Sequence, residues 1–305
     1  MKNNLRKIAE ELGFDAVGFA KVQSLDEQFL HFENWITQGF NANMNFLLKN
    51  KEQRKNPKLL FAKTNTVIVF AKKYSANIVF EQKIKIAKYA LQTDYHRTIK
   101  NLLNQFSEEL QKNYNAESVS FVDSGAILEK QWAVLAGIGW QGKNSLIINE
   151  NLGSYFNIGI ILTDLKIEPD FPTQNKCNNC QKCIDICPTS AIVSPCVINA
   201  NKCISYHTIE NKNEMFFCET IKSTEIKNAI NKTGYIFGCD ICQDICPFNQ
   251  KIIAENSEIF LKNLITVEEE DLRKISEEKF NKLFQNSAIK RAKYQNFMGN
   301  LECVI

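Results

Sequence analysis

The feature that most constrains this chain is a dense group of cysteines in its second half. None of the 11 cysteines precedes Cys177, ten fall between Cys177 and Cys246, and the last is Cys303. The first motif has the spacing C-x2-C-x2-C-x3-C followed by proline, the pattern of bacterial ferredoxins, and comprises Cys177, Cys180, Cys183 and Cys187. Its first three thiolates can bind one cubane 4Fe–4S cluster, while the fourth reaches a neighbouring cluster.

A second motif predicts the second cluster. Cys239, Cys242 and Cys246 form C-x2-C-x3-C before Pro247, and Cys203 is the natural source of the missing fourth ligand. The crossed pairing predicts one cluster on Cys177, Cys180, Cys183 and Cys246, and the other on Cys187, Cys203, Cys239 and Cys242. The remaining cysteines are expected to be free, buried thiols: Cys196, Cys218 and Cys303.

Zinc is the main alternative for such a cysteine group. Zinc sites usually show paired C-x2-C units separated by a longer loop, which fits this spacing poorly. The sequence starts without a signal peptide and contains no run long enough to span a membrane. We therefore expect a cytoplasmic protein, in which disulfides are rare and metal binding is the leading explanation for the cysteines. The formal net charge of +3 neither requires nor excludes a nucleic-acid partner.

The part of the chain before the cysteines is long enough for a domain of its own. Apolar periodicity predicts helices at 5–12, 25–38, 98–112 and 126–136, and strands at 16–20, 66–71, 118–122, 145–149 and 154–162. A change in composition between 166 and 173 indicates a domain boundary. The expected fold class is α+β, with a mixed α/β domain at 1–166, a two-cluster ferredoxin-like domain at 167–255 and a helical tail at 256–305.

Several segments together resemble the epoxyqueuosine reductase family. They are VDSGAILEK at 122–130, WAVLAGIGWQGKNSLIIN at 132–149, GSYF at 153–156, CISYHTIE at 203–210 and GCDICQDICPFN at 238–249. Weaker similarity is found in QRKNPKLL at 53–60, YALQTDYH at 89–96 and the tail segment 284–300. The resemblance is to a short form without C-terminal helical repeats. It departs from the family at Gln141 and His207, where an apolar residue is more usual.

The resemblance implies a reaction and a set of partners. It implies reduction of epoxyqueuosine to queuosine at the wobble position of tRNA, by a cobalamin that two 4Fe–4S clusters re-reduce. The first domain would bind the cobalamin without a histidine ligand from the protein. The implied partners are the anticodon stem-loop of the tRNA and an unidentified low-potential electron donor, with no membrane partner. A monomer is expected.

Asp123 is the expected proton donor. It ends an apolar strand, where burial beside a corrin would raise the pKa of its carboxyl and keep it protonated near neutral pH. The alternative is that Asp123 only caps a helix that begins around Gly125, since Asp-Ser-Gly is good capping chemistry.

Two further groups of residues are implied. The cofactor-binding residues would be Arg54, Tyr95, His96, Asp123, Gly142, Lys143, Asn144, Ser145, Ser154, Ser205, Gly238 and Asp240. The tRNA-binding residues would be Tyr206, Thr208, Glu210, Lys290, Arg291 and Lys293, with basic residues on phosphates and exposed aromatics on unstacked bases. His96 is equally well explained as a surface histidine at the start of a helix.

Two other functions are compatible with two clusters. One is a corrinoid iron–sulfur enzyme of the reductive dehalogenase type, although this chain has no twin-arginine signal and no tyrosine at position 123. The other is a ferredoxin-type electron carrier, which would bind clusters but no corrin.

Overall fold

The computed structural model describes residues 1–74, 83–211, 224–250, 252 and 269–304. The strands are β1 Ala16–Lys21, β2 Thr66–Lys73, β3 Lys85–Ile86, β4 Ser118–Phe121, β5 Trp140–Gln141, β6 Ile147–Ile148, β7 Phe156–Thr163, β8 Ile192–Ser194, β9 Val197–Ile198 and β10 Tyr235–Phe237. The helices up to the second cysteine motif are α1 Lys2–Glu11, α2 Asp26–Thr37, α3 Lys51–Lys55, α4 Tyr95–Tyr114, α5 Glu129–Leu135, α6 Lys182–Asp185, α7 Ile204–Ile209 and α8 Thr224–Thr233.

The later helices are α9 Ile241–Asp244, α10 Pro247–Gln250, α11 Glu269–Arg273, α12 Glu277–Leu283 and α13 Lys293–Glu302. Short 3₁₀ turns lie at Asn45–Leu48, Pro57–Leu59, Lys88–Leu91, Ala200–Lys202 and Ala288–Ala292. No helix within the described ranges is long and apolar enough to cross a membrane.

An antiparallel sheet in the order β1-β2-β7-β4 forms the centre of the first half. Both of its faces are covered, because Ile68 and Phe70 of β2 pack with α1 and α4, and Val67 and Val69 pack with α5. The alternation of these side chains follows from the two-residue period of a strand. A strand buried on both faces has a continuous apolar sequence, which is why the segment 66–71 was predictable.

A separate core joins the tail to the rest of the protein. Phe280, Phe284 and Phe297 of the tail are fully buried against residues of β3, α7, α8 and β10. β3 pairs with β10 in parallel, so the first half of the chain and the ferredoxin-like region share a sheet. The tail is therefore part of the structure that surrounds the second cysteine motif.

The predicted elements agree with the structure except near Asp123 and at several boundaries. The helix predicted at 126–136 spans only Glu129–Leu135, because the preceding residues form a turn. α4 begins three residues before the predicted start, since Asp94 caps it by accepting a hydrogen bond from the backbone N–H of His96. The strand predicted at 145–149 is the two-residue β6.

Candidate active site and cluster ligands

Asp123 lies in a turn between β4 and α5, and its backbone adopts the left-handed conformation with φ of +56°. This conformation is uncommon for a residue other than glycine and is often found at functional sites. The backbone N–H of Asp123 donates to Oε1 of Glu129 at 2.7 Å. Asp123 does not cap a helix, because the residue before α5 is Leu128. The capping alternative is therefore wrong.

Three side chains converge on one oxygen of Asp123. Tyr95 Oη donates to Oδ2 at 3.0 Å, His96 Nε2 lies 2.9 Å from Oδ2, and Arg291 Nη1 donates to it at 3.0 Å. Tyr95 and His96 occupy the first turn of α4, and their rings stack with centroids 4.0 Å apart. His96 Nδ1 lies 2.8 Å from Oδ1 of Asp94, which orients the imidazole.

These contacts change the expected protonation of Asp123. Burial favours the neutral carboxyl, but the hydrogen bonds from His96 and Arg291 outweigh it and hold the pKa of Asp123 well below its ordinary value. The prediction of a raised pKa is therefore wrong, because sequence reasoning did not place two cations on the carboxylate. Burial lowers the pKa of His96, but Asp123 and Asp94 outweigh this and raise it to about 9. Burial raises the pKa of Glu129 to about 7.

Asp123 and Lys130 are surface residues whose protonation is affected by the surrounding protein. The side chains of Asp123 and Lys130 are exposed to solvent, yet burial by the surrounding protein shifts the pKa of both groups. The pKa of Lys130 is lowered by this burial, and Asp123, Glu129 and the thiol of Cys242 oppose the shift. Lys130 thus lies within electrostatic range of both Asp123 and a cysteine of the second motif.

Arg54 faces the same group of residues from α3. The residue is 9% exposed, and its Nε is buried without a hydrogen-bond partner among the described residues. Burial lowers the pKa of Arg54, and the carboxylate of Glu129 opposes the shift. A buried guanidinium without an acceptor is costly, and a bound ligand rich in carbonyl or phosphate oxygens would satisfy it. The unpartnered Nε of Arg54 therefore fits a polar cofactor with hydrogen-bond acceptors.

The predicted cluster cysteines form two groups of neighbouring thiols. Burial raises the pKa of Cys183, and the nearby thiols of Cys177, Cys246 and Cys180 raise it further. Burial likewise raises the pKa of Cys242, with further contributions from Cys239, Cys203 and Cys187. Each group contains one cysteine that the other motif supplies, as the crossed pairing requires. A smaller contribution of Cys183 to Cys242 indicates that the two groups are adjacent.

The three remaining cysteines differ from one another. Cys196 is free, as expected, and its thiol lies 3.4 Å from the carbonyl oxygen of Gly142. Cys303 is disulfide-bonded, so the prediction of a free thiol is wrong there. Cys218 lies outside the described residues.

The glycine-rich segment connects the first domain to the cysteine motifs. Lys143 Nζ donates to the carbonyl oxygen of Asn178 at 2.8 Å, and Asn144 Nδ2 donates to that of Cys242 at 3.2 Å. Gly142 has no room for a side chain, because a Cβ there would lie 2.5 Å from Ile148 Cδ1. Ser145 has φ of +61° in the same turn. Lys143 and Asn144 are thus engaged with the cysteine motifs.

Four other predicted cofactor residues also have partners within the protein. Ser154 is buried and its Oγ accepts from Asn249 at 2.9 Å, while buried Asp240 accepts from the backbone N–H of Lys88 at 2.8 Å. Gly238, with φ of +70°, donates its backbone N–H to Thr208 Oγ1 at 2.9 Å. The carbonyl oxygen of Ser205 accepts from Thr208 at 3.3 Å. Of the predicted cofactor residues, Tyr95 and His96 contact the side chain of Asp123, and Arg54 is within electrostatic range of Glu129.

The predicted tRNA residues divide into a buried and an exposed set. Tyr206 and Thr208 are buried, and Tyr206 Oη accepts from the backbone N–H of Asn43 at 3.1 Å. The prediction that Tyr206 is an exposed stacking residue is therefore wrong, because the apolar face of α7 packs it inward. Lys290, Arg291 and Lys293 are exposed. Arg291 also lies 3.5 Å from Glu210. The sequence did not indicate that Arg291 pairs with carboxylates at the active site.

Comparisons with known proteins agree with this arrangement. Residues 176–249 match the family model "4Fe-4S double cluster binding domain", and residues 54–124 match "Epoxyqueuosine reductase QueG, DUF1730". The double-cluster match supports two 4Fe–4S clusters over zinc. The chain is 36% identical to the epoxyqueuosine reductase of Cyclobacterium marinum, over 98% of this chain and 95% of that protein. It is 35% identical to that of Cellulophaga algicola, over 96% and 94%.

Solved structures show the same fold. The epoxyqueuosine reductase of Streptococcus thermophilus superposes with a TM-score of 0.90 at 29% identity, over 99% of this chain and 80% of that one. An epoxyqueuosine reductase with an epoxyqueuosine-modified tRNA-Tyr stem loop gives a TM-score of 0.89 at 25% identity, over the same shares of the two chains. With its full-length relatives and its two-cluster module, this chain belongs to the epoxyqueuosine reductase family of oxidoreductases.

Proposed function

We propose that this protein reduces epoxyqueuosine to queuosine at the wobble position of tRNA, with cobalamin as the reductant and two 4Fe–4S clusters as its electron supply. The observation that carries the proposal is the position of the Asp123 group. Its carboxylate is within electrostatic range of Lys130, which is in turn within range of Cys242. Acid–base side chains and a cysteine of the second motif are therefore both within electrostatic range of Lys130. A reductive ring opening needs protons and electrons at the same place.

The relatives support this substrate. Proteins that match nearly the whole chain at 35–36% identity carry the name epoxyqueuosine reductase. One similar structure contains an epoxyqueuosine-modified stem loop of tRNA-Tyr. We propose the same class of RNA as the substrate of this protein, and an anticodon stem-loop as the part that it binds.

The cobalamin would lie in the cleft beside Arg54, Tyr95, His96 and Lys130. When bound, it supplies a strongly reducing cobalt centre next to the epoxide. Arg54 would donate hydrogen bonds to its polar periphery, which satisfies the buried Nε that has no partner among the described residues. No histidine of this group is needed as a ligand, because His96 is already engaged with Asp94 and Asp123.

The eight cysteines of the two thiol groups are the proposed cluster ligands. One cluster would take Cys177, Cys180, Cys183 and Cys246, and the other Cys187, Cys203, Cys239 and Cys242. Cys242 of the second group is within electrostatic range of Lys130, which supports an assignment of this cluster to the active site. We therefore propose that the second cluster is the one that delivers electrons to the active site. We also propose that the domains divide near residues 166 and 255.

Protons come from the side chains around Asp123. Loss of the epoxide oxygen as water with formation of the ring alkene consumes two electrons and two protons. His96 is protonated at neutral pH because its pKa is raised to about 9, and its Nε2 lies against Asp123 Oδ2. We propose that Asp123 transfers a proton to the departing oxygen and that His96 replenishes it.

The proposal is tested with anaerobically purified protein that is reconstituted with iron, sulfide and cobalamin. Epoxyqueuosine-containing tRNA is incubated with a low-potential reductant, and its nucleosides are quantified by mass spectrometry. Queuosine should form only when cobalamin and both clusters are present. If no queuosine forms although all three groups are bound, the proposed function is wrong. If queuosine forms without cobalamin, only the proposed cofactor is wrong.

A further inference from the structure

A turn of the C-terminal tail places Arg291 in the active site. The turn Ala288–Ala292 is fixed by Ser287, whose Oγ donates to the carbonyl oxygen of Ala90 at 3.1 Å and accepts from the backbone N–H of Ile289 at 3.1 Å. Ala288, Ile289 and Ala292 are buried in the core around Phe280 and Phe297. The backbone N–H of Asp94 donates to the carbonyl oxygen of Asn286 at 2.7 Å, which joins this turn to the start of α4.

The guanidinium of Arg291 bridges two carboxylates. Nη1 is 3.0 Å from Oδ2 of Asp123, and Nη2 is 3.5 Å from Oε1 of Glu210. Nη1 also lies 3.2 Å from His96 Nε2. A guanidinium can only donate hydrogen bonds, so it favours the ionised form of whichever carboxylate it contacts. Because Glu210 is already within ion-pair distance, Arg291 has a second acceptor available when it leaves Asp123.

This contact opposes the transfer of a proton by Asp123. All three donors contact Oδ2, and no residue in the described part of the chain hydrogen-bonds Oδ1. A carboxylate with three donors, two of which are cations, is held ionised, and an ionised carboxylate cannot act as an acid. Withdrawal of Arg291 would remove one donor and one positive charge at the same time. The carboxyl would then hold a proton more readily, and Oδ1, which accepts no hydrogen bond from the described residues, could carry that proton towards the substrate.

The same turn is the kind of surface that binds phosphate. Lys290, Arg291 and Lys293 are exposed within four positions of one another, and the segment 288–293 contains no acidic residue. Clustered Lys and Arg bind the phosphodiester backbone and fix the register of an RNA. A phosphate that approaches this turn would compete with Asp123 for the guanidinium of Arg291, since Arg can bind a phosphate with two parallel hydrogen bonds.

We propose that Arg291 is a positioning residue for Asp123, which holds the carboxylate ionised in the RNA-free protein and releases it when a phosphate of the RNA draws the guanidinium away. The inference rests on the proposed RNA substrate and on the proposed acid role of Asp123. The protein would thus become competent for proton transfer only with RNA bound. Charged and titratable groups that also face Asp123 are Tyr89, Asp94, Tyr95, His96, Glu129, Lys130 and Glu210.

His96 provides a direct probe, because the chain contains only 3 His. We would label histidine with ¹³C at Cε1 and assign the three NMR signals in the holoprotein with His31→Gln and His207→Gln. The pKa of His96 is then measured with and without a stem-loop that carries unmodified guanine at the wobble position, so that no turnover occurs. Binding of the stem-loop is measured separately by fluorescence anisotropy.

The expected result is a rise in the pKa of His96 when RNA binds the wild type, because the positive charge next to Nε2 is removed. A rise of about half a unit or more is expected for the loss of a cation at this distance. Arg291→Gln should show the raised value without RNA and little further change with RNA. The control Lys290→Gln alters the neighbouring exposed cation and should retain the RNA-induced shift at saturating RNA.

The outcomes separate the two proposals. If the stem-loop binds but the pKa of His96 is unchanged, or rises equally in Arg291→Gln, Arg291 does not act as proposed, while the proposed substrate stands. If neither this stem-loop nor one that carries epoxyqueuosine binds, the proposed function fails and the role of Arg291 fails with it. Unchanged cluster absorbance and thermal unfolding in Arg291→Gln establish that the variant is folded.

Discussion

His96 Nε2 lies 2.9 Å from the carboxylate oxygen Oδ2 of Asp123, although one residue starts a helix and the other lies in a turn beyond the next strand. The two residues meet because α4 and β4 pack side by side and run in opposite directions. The end of β4 therefore lies next to the first turn of α4. This contact pairs an imidazolium with a carboxylate in a partly desolvated cleft. Acid–base chemistry in the cleft therefore depends on two groups that stabilise each other's charged forms.

Replacement of Asp123 by Asn should abolish most turnover. Asn keeps the size of the side chain but cannot exchange a proton, and loss of a general acid typically lowers the rate by about 10²- to 10⁴-fold. The measurement is queuosine formation under single-turnover conditions, with iron and cobalamin contents determined in parallel. Asp271→Asn, an exposed position on α11, is the control. Full activity in Asp123→Asn with normal cofactor loading would place the acid elsewhere.

His96 should make the stability of the protein depend on pH. Its pKa in the folded protein is about 9, against about 6.5 for an unperturbed histidine. A raised folded-state pKa means that the contribution to stability is fully present below about pH 6.5 and is lost as the pH rises through about 9. This contribution to the free energy of unfolding is on the order of 3 kcal/mol.

The test compares urea unfolding of the wild type and His96→Gln at several pH values. The wild type should lose its stability advantage over the variant between neutral pH and about pH 10. His31→Gln removes a histidine outside this site and should follow the wild-type pH dependence. A constant difference between wild type and His96→Gln across the range would contradict the raised pKa.

Gly18 should be essential for packing of the central sheet against α5. A Cβ at this position of β1 would lie 2.0 Å from the backbone carbonyl oxygen of Ala136, which cannot rotate away. Gly18→Ala should therefore destabilise the protein by about 1 to 3 kcal/mol or more, as overpacking of a core does. Gly299→Ala is the matched control, because no atom lies within 4 Å of the added Cβ and the site is helical. Equal melting temperatures for the two variants would refute the close contact.

The parts of the fold and of the site that could be predicted are those that adjacent residues of the sequence encode. The buried strand at 66–71 and the cysteine spacings are local patterns, so both predictions used information present in adjacent residues. The crossed pairing of the cysteines was predicted because a cubane restricts which cysteines can meet, and it stays a prediction. Gly238 was assigned to the cofactor from the resemblance, but its positive φ and its bond to Thr208 are equally explained by the turn before Cys239.

The protonation of Asp123 could not be predicted, because it depends on residues far away in sequence. Arg291 is 168 positions from Asp123, and only the packing of Phe280 and Phe297 into a common core brings the tail to the cleft. Sequence reasoning treated Arg291 as a surface cation and Asp123 as buried next to an apolar ligand. Both descriptions omit the contact that decides the charge of the carboxylate. The burial of Tyr206 was missed for the same reason, since its partner Asn43 is distant in sequence.

Replacement of Cys203 by Ala should remove one cluster and leave the other. Cys203 lies outside both short motifs, but its thiol is a neighbour of Cys187, Cys239 and Cys242. Because a 4Fe–4S cluster is held by four thiolates, the second cluster should be lost or incomplete while the first retains all of its ligands. Iron analysis should show about half of the wild-type content, with a single cluster signal in the EPR spectrum of the reduced protein.

The control for this variant is Cys196→Ala. Cys196 is also partly buried and precedes Cys203 by seven positions, but its thiol faces the carbonyl oxygen of Gly142. This variant should keep both clusters and its turnover. Because Cys242 of the second thiol group is within electrostatic range of Lys130, we expect Cys203→Ala to lose queuosine formation even where the first cluster is intact. Retention of two clusters in Cys203→Ala, or loss of one in Cys196→Ala, would show that Cys203 is not the eighth ligand.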